Sequence, residues 1–138
     1  MVPCPAVSKD HRHSDFVKDR VILVVDDNTI VRQGTAIALR VVLGFEAEEA
    51  ADGFAALEKM KTNTFAAILM DCEMPNMDGF QCTAQIRELE KLSGDKIPII
   101  GMTASVAPDI RESCLKAGMN DYLDKSCSNE KLQEVLVK

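Results

Sequence analysis

The residues of this chain whose types could do chemistry together are two neighbouring acids, Asp26 and Asp27, one further acid, Asp71, one hydroxyl, Thr103, and one ammonium, Lys125. Asp71 closes the run Ala66-Ala67-Ile68-Leu69-Met70, and Asp26 closes Val21-Ile22-Leu23-Val24-Val25. Such short apolar runs suit strands buried on both faces, where an unpaired charge cannot lie, so each acid belongs at a strand's carboxyl end. Three carboxylates brought together repel, and are tolerated only if a cation offsets them or one of them takes a proton. Hard oxygens with room for water suit Mg²⁺. Lys125 offers a compact positive charge to a phosphate oxygen, and Thr103 a hydrogen bond to another. Asp71 is then free to attack phosphorus as a carboxylate nucleophile. Phosphoryl transfer of this kind needs mainly alignment and charge neutralisation. Taken singly, each residue has a plainer explanation: a helix cap, a turn residue, a surface charge. Their joint placement at the ends of the first, third, fourth and fifth strands argues for a site.

The elements that must position these groups alternate strand and helix five times. After Asp26-Asp27-Asn28, with Asp27 or Asn28 as cap, a helix carries Ile30, Ile37 and Val41 on one face, with Val31, Ala38 and Val42 alongside. Gly44 ends it. Residues 45–50 form a weaker strand whose acids suit a sheet edge. A helix from about Phe54 to Lys61 turns Phe54, Leu57 and Met60 inward. Beyond the Asp71 strand, Pro75 and Gly79 shape the loop, and a helix runs from Gly79 to about Leu92 with Phe80, Thr83 and Ile86 at helical spacing. The strand over 97–104 ends in Thr103, and Pro108 opens a helix that presents Ile110, Cys114 and Ala117 and stops at Gly118. A short strand over 121–125 delivers Lys125. Ser128 or Asn129 caps a last helix with Leu132, Val135 and Leu136. This order argues for a parallel sheet with helices on both faces and a crevice at the carboxyl edge.

Composition narrows the function. The 138 residues suit one domain, and the net charge of -6 comes without the clustered Lys and Arg of a nucleic-acid footprint. No apolar run approaches a membrane span, and no apolar signal core follows Met1. Cys4, Cys72, Cys82, Cys114 and Cys127 lack metal-ligand spacing and read as reduced, inert thiols of a cytoplasmic protein. Residues 1–19 read as a flexible leader or linker. Cys4, His11 and His13 within it lack the further ligands a metal would want, so solvated linker residues are the better reading.

The chain resembles the receiver domains of two-component response regulators over residues 20–138. The resemblance rests on Asp26-Asp27, Asp71, Pro75 and Gly79 four and eight residues beyond it, Thr103-Ala104 and Lys125. The wording of residues 70–75 and 117–123 looks most like receivers fused to hybrid histidine kinases. The family implies a flavodoxin-like (βα)5 doubly wound sheet of five parallel strands in the order 2-1-3-4-5. It implies Mg²⁺ held by Asp27, by Asp26 largely through water, by Asp71 and by the Glu73 backbone carbonyl. A phosphoryl group would reach Asp71 from the phosphohistidine of a histidine kinase or a histidine phosphotransfer protein. Thr103 and Tyr122 would switch with it, and the face of the fourth helix, fifth strand and fifth helix would report the state and could support a phosphorylation-dependent dimer. Tyr122 could equally be partly buried packing. Glu73 and Ser105 would flank the path of the hydrolytic water, with Glu73 setting the decay rate.

The implied protein is not a turnover enzyme: it accepts a phosphoryl group on itself and loses it, with no nucleic acid and no direct membrane contact. It would be a free single-domain regulator or a piece of a larger kinase. One departure matters. The family usually follows its lysine with a cis proline, and here Ser126 follows Lys125. A cis bond without proline costs about 2.5–4 kcal/mol, so a trans bond is expected, with Lys125 reaching the site less well. That keeps a second reading open, a pseudo-receiver that binds partners without phosphorylation. A haloacid-dehalogenase-type phosphohydrolase fits worse. It wants its nucleophile on the first strand and a second Asp two residues later, where this chain has Asn28 or Thr29.

Overall fold

The computed structural model describes residues 21–94, 96–104 and 108–136. Five strands, β1 (Val21–Val25), β2 (Glu46–Ala50), β3 (Ala67–Asp71), β4 (Ile99–Thr103) and β5 (Asp121–Asp124), form one sheet in the order β2-β1-β3-β4-β5. Every pairing is parallel. This is the flavodoxin-like order expected from the sequence.

Side-chain alternation on the buried strands divides the core in two. Leu23, Val25, Ile68, Met70 and Ile99 face one layer of helices: α2 (Gly53–Thr62), α3 (Gly79–Ser93) and α4 (Pro108–Ala117). Ile22, Val24, Leu69, Ile100 and Leu123 face the other: α1 (Thr29–Ile37), which runs on through a wide π turn over Ala38–Val42, and α5 (Asn129–Leu136). The second strand lies at the edge, where Glu48 and Glu49 bond outward to Lys59 and Arg32 while Ala47 and Ala50 are buried.

The helix boundaries carry their own chemistry. Asn28 caps α1, its Oδ1 accepting from the Val31 amide, and Gly44 takes a positive φ just beyond the helix. Asp78 and Gln81 form a reciprocal capping box at the start of α3. The Ser128 hydroxyl accepts from the Lys131 amide ahead of the last helix. Arg87 of α3 ties three elements together. Its guanidinium donates to the carbonyls of Ile97 and Gly118, to Asn120 Oδ1 and to the buried Glu90. Glu90 in turn accepts from the Ile97 amide, so the start of the fourth strand and the turn before the fifth are fixed to α3.

Two expected helix faces are corrected. Ile30, Ile37 and Val41 of the first helix point to solvent, 82%, 57% and 77% exposed, and Ala36 and Leu39 pack inward instead. The helix is turned so that Arg32, one turn before Ala36, reaches the Asp26 carbonyl and Glu49. Phe54 of α2 is likewise exposed, because Gly53 and Ala56 make the close approach, with Met77 lying over Gly53. Cys72, Cys82 and Cys114 are buried free thiols, and burial holds Cys82 up at about 12. The leader residues Cys4, His11 and His13, together with Ser105, lie outside the described residues.

Candidate functional site

Adjacent parallel strands in register end together, and that places the polar groups. Val25 pairs with Met70, so Asp26 and Asp71, each the next residue, lie side by side. Thr103 pairs with Asp124, so Lys125 emerges beside the end of β4. The carboxylates of Asp26, Asp27 and Asp71 each bring an oxygen within 4.8 Å of the others. Asp71 and Asp26 are buried and Asp27 is exposed, so the cluster opens to solvent on the Asp27 side.

Each carboxylate is held by local backbone. Asp71 Oδ1 accepts from the Glu73 amide at 3.1 Å, and Asp26 Oδ1 accepts from the Asn28 amide at 2.9 Å. The Lys125 ammonium lies 3.0 Å from Asp71 Oδ1 and 3.3 Å from Asp26 Oδ2. Its backbone is anchored by a bond from the Lys125 amide to the Thr103 carbonyl at 2.8 Å. No described peptide bond is cis, and Lys125–Ser126 is trans. The weaker reach expected of a trans bond does not follow: Lys125 contacts both buried acids.

Burial is the largest influence on the Asp71 carboxyl and pushes it up to about 6. The Lys125 and Glu73 hydrogen bonds pull against this, and Asp26 repulsion adds to it. Burial alone would lower the Lys125 ammonium. Its hydrogen bond to Asp71 and the charges of Asp71 and Asp26 outweigh burial and hold it above its ordinary value.

The second Asp71 oxygen, Oδ2, is buried and has no hydrogen-bond partner among the described residues. A buried, unpartnered carboxylate oxygen beside two further acids is the donor set a small hard cation completes. The residues present therefore fit Mg²⁺. Thr103 is buried at the same sheet edge. Tyr122 is partly covered; it packs against the α2–α3–α4 core and lines a groove of about 600 Å³ with Arg111, Leu115, Lys131 and Val135. That groove is separate from the acid cluster. The Glu73 side chain is exposed at the start of the loop.

The loop beyond Asp71 turns tightly to launch α3. Asn76 takes a positive φ of 70°, the Met77 amide reaches the Pro75 carbonyl, and the Gly79 amide returns to the Cys72 carbonyl at 3.2 Å. A Cβ on Gly79 would press on the Asp71 carbonyl and stand 2.9 Å from Cys72 Cα. Glycine is needed here for close approach of backbone to backbone.

Sequence reasoning missed Arg32. It holds the Asp26 carbonyl at 2.9 Å from within the first turns of α1. The signal was present: a cation near a helix N-terminus opposes the helix dipole and calls for a specific partner.

Known proteins resemble this chain along most of its length. The sequence model of the response regulator receiver domain matches residues 22–137. The sensor histidine kinase RcsC of Salmonella typhi is 35% identical over 131 residues, covering 95% of this chain and 13% of that protein. The chain thus spans about an eighth of that relative, and 7% of the hybrid signal transduction protein dokA of Dictyostelium discoideum, to which it is 39% identical. Among solved structures, the receiver domain of the sensor histidine kinase PA1611 from Pseudomonas aeruginosa, with magnesium coordinated in its cleft, superposes with a TM-score of 0.76. It is 40% identical and covers 85% of this chain and 93% of its own.

Proposed function

Because this chain belongs to the response regulator receiver domains of two-component signalling, we propose that it is a phosphoacceptor. It accepts a phosphoryl group on Asp71 from a phosphohistidine, with Mg²⁺ bound, and switches the α4–β5–α5 face. The carrying observation is the 3.0 Å contact of Lys125 with Asp71 beside a carboxylate oxygen that is buried and has no hydrogen-bond partner among the described residues.

Asp26, Asp27, Asp71 and the Glu73 backbone carbonyl would hold the ion. When bound, Mg²⁺ offsets the crowded carboxylates and the charge spread over the phosphoryl oxygens. This chain's own groups do the rest. An Asp71 carboxylate oxygen forms the new P–O bond as the P–N bond of phosphohistidine breaks, and the departing imidazole nitrogen takes a proton. Lys125 is already placed to move from the Asp71 carboxylate onto a phosphoryl oxygen, and Thr103 supplies a hydroxyl from the end of β4. Tyr122, lining the groove between α4 and α5, carries the change outward as a population shift. Glu73, exposed at the loop's start, tunes the decay of the acyl phosphate.

A protein donor suits the surroundings. The exposed apolar residues Ile30, Ile37 and Val41 run down α1 from beside the acid cluster, where an approaching histidine-bearing helix would cover them. The donor is a histidine kinase or a histidine phosphotransfer protein, and the setting is cytoplasmic. Among the described residues no helix is long and apolar enough to cross a membrane.

Titration with Mg²⁺ and beryllofluoride, followed by amide NMR, tests the reading. Saturable shifts at residues 71, 103 and 122 that need both components are expected. Shifts that are absent, or that arise without Mg²⁺, would leave the pseudo-receiver reading in possession.

A further inference from the structure

Ser126 stands where the family's proline would, yet Lys125 reaches the acids across a trans bond. The Cys127 amide closes onto the Asp124 carbonyl at 2.9 Å, making a β-turn with Lys125 and Ser126 at its corners. Asp124 Oδ1 then accepts twice from Ser126, from the amide at 2.8 Å and from the hydroxyl at 2.7 Å. Both bonds, the hydroxyl's first, hold the Asp124 carboxyl below its ordinary value.

We propose that Asp124 is the positioning residue for Lys125. Its carboxylate clips Ser126, and the clipped turn aims the ammonium at Asp71 and Asp26. The proposal rests on the phosphoacceptor reading for its consequence, but the clip's own bonds involve neither phosphate nor metal. Among the described residues, Lys125 leaves β5 with two main-chain to main-chain tethers, its own amide on the Thr103 carbonyl and the Cys127 amide on the Asp124 carbonyl. Between them the peptide plane joining Lys125 to Ser126 could rotate. Two donors of one residue on a single carboxylate oxygen remove that freedom, as charge-assisted bonds do well. A turn containing proline fixes the same plane by its ring. The Asp124–Ser126 pair does so by hydrogen bonds and keeps the amide proton that proline lacks.

The experiment compares Asp124→Ala with Asp124→Asn, which keeps an oxygen acceptor in place, and Ser126→Ala with Ser126→Thr, which keeps the hydroxyl. Three quantities are read: amide exchange at Ser126 in the metal-free protein, Mg²⁺ affinity by calorimetry, and the rate of Asp71 phosphorylation by acetyl phosphate at saturating Mg²⁺. Asp124→Ala is expected to speed Ser126 exchange and slow phosphorylation, each by about tenfold. Mg²⁺ affinity should hold or rise, since the ammonium that competes for Asp71 and Asp26 has been released. Asp124→Asn and Ser126→Thr should recover most of both losses, and Ser126→Ala should show a smaller loss in the same direction. Unchanged Ser126 exchange, undiminished phosphorylation, or a fall in Mg²⁺ affinity alongside the rate would each overturn the proposal. If wild-type protein takes no phosphoryl group, the phosphoacceptor reading fails, and the metal-free exchange still decides whether Asp124 holds the turn.

Discussion

Burial at the end of β3 makes the Asp71 carboxylate an unfavourable ion even with the Lys125 ammonium 3.0 Å away. In the folded chain this carboxyl titrates at about 6, against an ordinary value of 3.8. Between those two pH values the folded protein keeps a proton that the unfolded chain has released. Metal-free folding stability therefore falls as pH rises through this window. Asp71→Asn removes the effect. The variant should be more stable than wild type at pH 8 by about 1–3 kcal/mol, and the gap should shrink as pH falls through this window and close below 3.8. Urea unfolding of the two metal-free proteins across that range checks this, and equal stabilities at pH 8 would contradict it. At this scale the sequence was legible where an apolar run met a polar residue, because a buried strand leaves a charge nowhere to go but its end. Asp26, Asp71 and Thr103 were placed at strand ends that way. Arg32 and Asp124 were not, because their importance lies in which backbone groups they hold, and only the folded chain brings those groups within reach.

The elements show where periodicity suffices and where it misleads. All five strands and the cap glycines Gly44 and Gly118 could be placed from composition and turn chemistry alone. The face of α1 could not. Its sequence carries two stripes at helical spacing. The more apolar one, through Ile30, Ile37 and Val41, faces water, while Ala36 and Leu39 pack inward, the small Ala36 allowing the close approach and Leu39 filling the core. Phe54 misleads in the same way on α2. The loop from Asp71 to α3 makes a sharper prediction. Gly79→Ala would set a methyl against the Asp71 carbonyl and Cys72 Cα, both backbone atoms without room to retreat. A loss of about 1–3 kcal/mol is expected by chemical denaturation. Because the strain falls on the proposed phosphoacceptor, Mg²⁺ affinity should weaken too. Affinity matching wild type in a destabilised variant would separate the loop from the site.

For the whole molecule, the doubly wound order puts the acids, hydroxyl and ammonium on one edge and the apolar α1 stripe beside them. On the proposed reading a protein donor lies over that stripe, whereas acetyl phosphate need only enter the cleft. Ile30→Asp should slow transfer from a phosphohistidine protein about tenfold or more, and leave labelling by acetyl phosphate within about twofold of wild type. Paired rates with the two donors check this, and equal losses with both would place Ile30 in the site's integrity rather than in docking. The measurement that bears most directly on the account is the intact mass of the protein after acetyl phosphate and Mg²⁺, with peptide mapping of any adduct. A single phosphoryl group on Asp71, lost on chelation of Mg²⁺ before labelling and absent from Asp71→Asn, is the predicted result. No adduct on the wild type, or one that persists in Asp71→Asn, would contradict it.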